Sequence, residues 1–134
     1  MKIFFDTDML SYYLSGNNKF RIKVWDEIDC GHPLCLTCVN VYEVLRGLKY
    51  KGNIKFEQDF HELLSRVKIF YFDDDAIQKA SDIYVDLRKK GVTIGDADIM
   101  IASIVIANGG KFVTNNVKHF QNIVDISIEN WCEA

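Results

Sequence analysis

The chain has a single proline among 134 residues, no apolar run as long as a membrane-spanning helix, and no excess of basic residues. Because apolar runs stay below about 18 residues, we expect no transmembrane segment and no membrane partner. The formal net charge is −3, from 16 basic and 19 acidic residues, which argues against a broad nucleic-acid-binding face. The N-terminal segment lacks the cationic region and the small-residue cleavage site of a signal peptide, so we expect a cytoplasmic protein.

The four cysteines lack the repeated short spacing that is typical of zinc sites. One segment contains Cys30, His32, Cys35 and Cys38, and the fourth cysteine, Cys132, lies near the C-terminus. Cys35 and Cys38 fall in a strand-like run at residues 34–38, where small buried thiols are common. We therefore predict reduced structural thiols, with a zinc site as the less favoured alternative.

Composition and periodicity predict an α/β fold. Hydrophobic residues make up 49% of the chain and charged residues 26%, which suits one globular domain over residues 1–134. Strand-like runs lie at residues 2–5, 34–36, 68–72, 111–114 and 125–128, and helical periods lie at residues 9–15, 20–28, 37–48, 56–67, 73–90 and 98–107. Thr37 and the triplet at residues 73–75 are expected to cap helices. The alternation predicts a mostly parallel sheet with helices on both faces.

Four acidic residues stand out by their positions. Asp6 and Asp8 follow the apolar first strand, and Asp96 and Asp98 open a very apolar late helix. In open α/β sheets, ligands bind beyond the carboxyl ends of the strands. Carboxylates gathered there repel one another, and a bound divalent cation usually relieves the repulsion. The pattern therefore predicts a metal-dependent site for phosphoryl chemistry.

Spacing distinguishes the two late acids. Residues two apart on a helix point away from each other, so Asp96 and Asp98 cannot both face one ion if both are helical. Asp98 is the better ligand, and Asp96 is the better helix cap or outer-shell residue. Glu43 lies on a helix that is otherwise apolar toward the core, where a charged group needs a partner. A metal would be such a partner, and a surface pair with Arg46 is an equally good alternative.

Four short segments carry a further pattern. They read IFFDT at residues 3–7, VYEVLRG at 41–47, IGDADIMIAS at 94–103 and FVTNNVKHF at 112–120. Each is weak alone, but in this order they resemble the PIN-domain ribonucleases and, within that family, the toxin subunits called VapC. The resemblance covers almost the whole chain. It implies a PIN-like three-layer sandwich with a mostly parallel central sheet flanked by helices.

By this resemblance, Asp6, Glu43 and Asp98 are the catalytic acidic cluster that holds Mg²⁺ or Mn²⁺. The family often has a fourth acid after the Val-Thr strand, whereas this chain has Asn116 and His119 in that stretch. An amide or a neutral imidazole adds no negative charge, so we expect one well-occupied ion. Three further residues are expected in the outer shell or in substrate positioning: Asp96, Thr114 and Asn116.

The implied activity is metal-dependent hydrolysis of RNA phosphodiester bonds, in which water attacks phosphorus and leaves a 5′-phosphate and a 3′-hydroxyl. The implied partners are RNA, a small antitoxin whose tail enters the active-site groove, and a second copy in a homodimer. Arg46 and Lys49 are candidate RNA contacts. If three of the 19 acids bind metal, 16 remain against 16 basic residues, so a local basic patch can still hold a phosphate backbone.

Two other functions fit parts of the pattern. An apolar strand ending in Asp6-Thr7-Asp8 also resembles haloacid-dehalogenase-type phosphatases, in which Asp6 would be a covalent nucleophile. The short chain and the absence of an evident lysine after a later strand argue against it. The second alternative is a PIN fold kept for protein contacts without catalysis. Clustered carboxylates argue against that function, because they cost stability unless they are neutralised.

Overall fold

The computed structural model describes residues 1–131 as an alternating series of strands and helices. In chain order these are β1 (Ile3–Phe5), α1 (Thr7–Leu14), α2 (Asn18–Asp29), β2 (Leu34–Thr37), α3 (Cys38–Lys51), α4 (Ile54–Leu64), β3 (Lys68–Phe70), α5 (Asp74–Lys89), α6 (Asp96–Ala107), β4 (Lys111–Val113), α7 (Val117–Phe120) and β5 (Ser127–Glu129). The predicted alternation is confirmed. None of these helices is long and apolar enough to cross a bilayer.

The five strands form one sheet in the order β3-β2-β1-β4-β5. All four pairings are parallel, which confirms the predicted sheet. The central strand β1 pairs with both β2 and β4 in register, Ile3 lying opposite Leu34 on one side and opposite Lys111 on the other. The strand order reverses between β1 and β4, so the crevice between these two strands opens at their carboxyl ends.

Helices cover both faces of the sheet, as the sandwich prediction requires. Because side chains alternate along a strand, Ile3 and Phe5 of β1 point to one face and Phe4 points to the other. The first face packs against α1, α2, α3 and α4. The opposite face packs against α5, α6 and α7. Each face therefore has its own apolar core, and the carboxyl edge of the sheet lies between the two helix layers.

Local capping predictions are confirmed at two helices. Thr37 Oγ1 accepts a hydrogen bond from Asn40 N at 3.1 Å, and Asp73 Oδ1 accepts one from Ala76 N at 3.0 Å. At two other positions the local prediction is wrong. Helix α1 begins at Thr7, two residues before the predicted start, because Asp6 caps it. Cys38 is the first residue of α3 and does not extend the strand.

The turn between α6 and β4 brings the backbone close to the sheet core. A Cβ atom placed on Gly110 would lie 2.5 Å from two ring carbons of Phe4, which is fully buried. The absence of a side chain at Gly110 lets β4 lie beside β1 at this point. This close approach helps to set the register that brings the ends of the two strands together.

Candidate active site

Polar side chains from three strand ends meet at the carboxyl edge of the sheet. Asp6 directly follows β1, Thr114 directly follows β4, and Thr37 ends β2. All three side chains are buried, and they lie where the strand order reverses. This is the position at which open α/β sheets place their ligands. Residues that are far apart in the sequence are thus brought together by strand pairing.

Asp6 accepts hydrogen bonds on both carboxylate oxygens. Its Oδ1 accepts from Thr7 N at 2.8 Å and from Asn40 Nδ2 at 3.3 Å. Its Oδ2 accepts from Thr114 Oγ1 at 2.8 Å. The residue is only 8% exposed. These contacts fix the orientation of the Asp6 carboxylate.

Burial and like charges act on Asp6 together. Burial raises the pKa of this carboxyl from 3.8 to about 6, and the charge of Asp8 adds to the effect, with a smaller contribution from Asp98. The hydrogen bonds from Thr114 and Thr7 oppose the shift but do not cancel it. The carboxylates that follow β1 and open α6 therefore influence one another. A cation between them would relieve the repulsion.

Glu43 joins the same edge through a chain of hydrogen bonds. Thr7 Oγ1 donates to Glu43 Oε1 at 2.7 Å and accepts from Asn40 Nδ2 at 3.0 Å. Asn40 Oδ1 accepts from Thr37 Oγ1 at 2.7 Å. The Arg46 Nη2 atom lies 3.9 Å from Glu43 Oε2, so the alternative surface pair is also present, at a much longer distance. Glu43 is thus held mainly by Thr7.

Asp98 is paired with an imidazole. Its Oδ2 lies 2.6 Å from Nε2 of His119, and the two side chains are 31% and 34% exposed. Asp98 lies in the first turn of α6, and His119 lies in α7. The imidazole therefore contacts the carboxylate that the sequence singled out as the better ligand.

Asp8 belongs to this edge, although the sequence-based set of site residues omitted it. Its Oδ1 accepts from Met9 N at 2.8 Å, and its Oδ2 accepts from Asn115 N at 3.1 Å. Burial raises the pKa of the Asp8 carboxyl as well. Asn40 and Thr7 were also missed, because polar residues next to a strand end are equally typical of helix caps. Only the position of Asp8 two residues after Asp6 was a usable signal.

Other predicted site residues lie around this centre. Thr114 lines it, and its Oγ1 also accepts from Asn116 N at 3.0 Å. The prediction that Asp96 caps α6 is wrong: Gly95 occupies the cap position, and Asp96 is the first, exposed residue of the helix. Asp96 lines a cleft between α5 and α6 with Met100.

The two candidate RNA contacts have different surroundings. The Arg46 guanidinium carbon lies 5.1 Å from the ring centroid of Tyr42, with most of the side chain exposed. Lys49 Nζ lies 2.6 Å from Glu57 Oε1, and this contact lowers the pKa of the Glu57 carboxyl. The charge of Lys49 is therefore already paired within the protein at short range, whereas the Arg46 guanidinium lies 3.9 Å from the Glu43 carboxylate.

The donor chemistry of the edge suits a hard divalent cation, since its acids offer carboxylate oxygens. Within residues 1–131, however, no three His, Cys, Asp or Glu side chains are grouped closely enough to hold one ion. Glu43 is turned toward Thr7, and Asp98 toward His119. The predicted acidic residues share one edge of the sheet, but their present side-chain positions do not form a coordination shell.

The cysteine segment has separate contacts. Cys30 is exposed, and Cys35 is buried in β2 with its Sγ 3.6 Å from the carbonyl oxygen of Pro33. His32 Nδ1 lies 2.7 Å from Glu27 Oε2. The free thiols in the described part of the chain are those of Cys30, Cys35 and Cys38. Cys132 lies outside the described residues.

Comparison with known proteins places this arrangement in a family. The PIN domain model matches residues 3–125. Ribonuclease VapC2 of Rickettsia felis is 38% identical over 127 residues, which are 94% of this chain and 95% of the relative. The tRNA(fMet)-specific endonuclease VapC of Salmonella typhimurium is 30% identical over 103 residues, which are 74% of this chain and 76% of the relative.

A solved structure shows the same fold. The DNA-bound VapBC of Salmonella typhimurium superposes with a TM-score of 0.85 at 26% identity, covering 98% of this chain and 99% of the other. The match in sequence extends along nearly the full length of the chain, and the fold agrees with it. The chain therefore belongs to the PIN-domain family and, within it, to the VapC ribonucleases.

Proposed function

We propose that this protein is an endoribonuclease of the VapC type, a hydrolase that cleaves RNA phosphodiester bonds with the help of Mg²⁺ or Mn²⁺. The observation that carries the proposal is the state of Asp6. It is a buried carboxylate whose pKa is raised by burial, by Asp8 and by Asp98, at the point where the strand order reverses. Such a group is suited to hold a divalent cation, which would supply positive charge to a phosphate there.

The proposed ligands are Asp6, Asp98 and Glu43. Asp6 is already fixed by Thr114 and by the first turn of α1. Asp98 and Glu43 would move toward Asp6 when an ion enters, with His119 and Thr7 still orienting them. The divalent ion would lower the pKa of a bound water and polarise the phosphate.

The remaining residues position these groups. Thr114 donates to Oδ2 of Asp6, and Thr7 N and Asn40 Nδ2 donate to Oδ1, so both oxygens of the carboxylate are oriented. Thr7 and Asn40 keep Glu43 beside Asp6, where it could orient the attacking water. Attack on phosphorus with loss of the 3′-oxygen would leave a 5′-phosphate and a 3′-hydroxyl. Asp96, Thr114 and Asn116 remain the proposed outer-shell or substrate-positioning residues.

We propose the same partners that the resemblance implies: an RNA substrate, a small antitoxin and a second copy of the chain. A relative at 38% identity is named a ribonuclease, and a solved structure at 26% identity is a VapBC complex. These names support a toxin that is held by its antitoxin. We further propose that it acts as one PIN-like domain over residues 1–134 in the cytoplasm. Light scattering on the free protein and on the complex would measure both assemblies.

The decisive test is RNA cleavage. A panel of 5′-labelled structured RNAs, including tRNAs, is incubated with the protein in Mn²⁺ or Mg²⁺ and, separately, in EDTA. Discrete metal-dependent cuts are expected from the wild type and from Asp26→Asn, a matched change at an exposed acid on α2. Asp6→Asn and Asp98→Asn should cut none. Equal cutting by these two variants would contradict the site, and phosphomonoester hydrolysis in place of RNA cleavage would favour the phosphatase.

A further inference from the structure

A cleft of about 550 Å³ lies beside the acidic edge and is lined mainly by side-chain amides. The amides belong to Asn115, Asn116, Gln121 and Asn130, and Lys118 adds an ammonium group. The walls come from the loop after β4, from α7 and the residue that follows it, from Ile128 in β5 and from Asn130 just after β5. The volume lies in the range of ordinary ligand sites. We name this region the amide cleft.

Charge distinguishes the amide cleft from other depressions in the described part of the chain. None of its described lining residues is a carboxylate. Four other clefts are each lined by at least one: Glu43 in the first, Asp59 and Glu62 in the second, Asp82, Asp86 and Asp125 in the third, and Asp96 in the fourth. In a chain with a net charge of −3, the described lining of the amide cleft carries no negative charge of its own to repel an anionic ligand.

The amide cleft is directly connected to the proposed active site. Asn115 N donates to Asp8 Oδ2 at 3.1 Å. Asn116 N donates to Thr114 Oγ1 at 3.0 Å, and that hydroxyl donates to Asp6 Oδ2 at 2.8 Å. A nucleotide next to a phosphate at Asp6 is therefore within reach of the amide cleft.

The side chains have the chemistry that reads a base. Within residues 1–131, the side-chain amides of Asn116 and Gln121 make no hydrogen bond, and both residues are exposed. Each amide offers donors and an acceptor, which match the edges of unpaired bases. Val117 and Ile128 are half-buried apolar neighbours that a base plane can contact. Lys118 can hold the attached phosphate.

We propose that the amide cleft binds the base of the unpaired nucleotide adjacent to the scissile phosphate and thereby determines the base preference of cleavage. This inference rests on the proposed ribonuclease function, because it names a substrate subsite of the same edge. Gln121 would take part in reading the base, whereas Lys118 would contact the backbone without reading sequence.

Binding can be tested without catalysis. The protein is titrated with AMP, CMP, GMP or UMP, and the side-chain amide NMR signals of Asn116 and Gln121 are followed, with exposed Gln58 on α4 as the internal control. We expect shifts at both residues with one or two of the nucleotides and much smaller shifts with ribose 5-phosphate. Equal shifts with ribose 5-phosphate, or none with any nucleotide, would overturn the proposal.

Cleavage of single-stranded RNA with randomised sequence provides the second test. Gln121→Leu should reduce the base preference at one position next to the cut by roughly tenfold. Lys118→Ala should slow cleavage of all sequences alike, and Gln58→Leu should match the wild type. The opposite result is a base preference that stays unchanged in a folded Gln121→Leu protein while Asp6→Asn still abolishes cleavage. That result would overturn base recognition by the amide cleft and leave the proposed ribonuclease function standing. If the wild type cuts no RNA in any metal, the ribonuclease proposal fails, and the nucleotide titration alone decides whether the amide cleft binds bases.

Discussion

His119 Nε2 lies 2.6 Å from Asp98 Oδ2, although 21 positions separate the two residues in the sequence. The contact joins α7 to the first turn of α6. This chain thus has an imidazole that contacts a proposed metal ligand. An imidazole that donates to a ligating carboxylate can orient it and so support metal binding.

Replacing His119 with Ala should weaken Mn²⁺ binding. Loss of an orienting partner of a metal ligand typically costs about 10–100-fold in affinity or activity. His119→Gln should recover part of the loss, because its side-chain amide can still donate a hydrogen bond. A Mn²⁺ titration of RNA cleavage measures the apparent affinity of each protein. Unchanged affinity in His119→Ala would contradict an orienting role.

Adding Mn²⁺ should raise the Tm of the metal-free wild type. At a concentration of 100 times Kd, binding stabilises the folded state by about 2.7 kcal/mol. For a chain of this length, the increase in Tm is on the order of 10 °C. Asp98→Asn should lose the increase, and Asp26→Asn should keep it. Differential scanning fluorimetry measures the Tm values, and no shift in the wild type would favour a non-catalytic module.

The stability of the metal-free protein should fall as pH rises from about 4 to 6. The folded-state pKa of Asp6 is about 6 and the unfolded value is 3.8, so the folded state binds the proton more tightly across this window. The free energy of unfolding therefore decreases with rising pH and levels off above about 6. The pKa shift of Asp6 corresponds to a change in the free energy of unfolding on the order of 2–3 kcal/mol.

Asp6→Asn should remove this decrease and make the metal-free protein more stable than the wild type at pH 7, while abolishing cleavage. Urea unfolding between pH 4 and 7.5 measures the free energy of unfolding of both proteins. Because the other titrating groups are the same in both, the difference reports on Asp6 alone. Asp26→Asn should follow the wild-type curve, because Asp26 is exposed. If the difference in free energy of unfolding between the wild type and Asp6→Asn did not change with pH, the raised pKa of Asp6 would be contradicted.

Gly110→Ala should destabilise the fold. The new Cβ would lie 2.5 Å from ring carbons of Phe4, which is buried and cannot move away freely. Forced overpacking of this kind costs about 1–3 kcal/mol. Gly47→Ala is the matched control, because Gly47 lies inside α3 and its new Cβ would meet no atom within 4 Å beyond its chain neighbours and the backbone of its own helix. That change should be neutral or stabilise the protein by up to about 1 kcal/mol. Urea unfolding measures the free energy of unfolding of both variants. Equal changes in Gly110→Ala and Gly47→Ala would contradict the close approach of Gly110 to Phe4.

Local elements were predictable because their causes are local. Alternation of apolar runs and helical periods gave the parallel sheet and its helices, and Thr37 and Asp73 cap the helices that follow them. The single turn of α7 was not predicted, since four residues are too few to establish a helical period. Asp96 was misplaced by one position at its helix start, because Gly95 and Asp96 are both plausible caps.

The sequence by itself determined which residue types are available: carboxylates after β1 and in the first turn of α6, and a glutamate in an apolar helix. Tertiary structure alone decided their partners. Thr114 reaches Asp6 across 108 positions, and Thr7 reaches Glu43 across 36. Such contacts depend on strand order and register, because only the pairing of β1 with β4 brings these strand ends together. The amide cleft has the same origin, since Asn130 follows β5 and the other three amides follow β4.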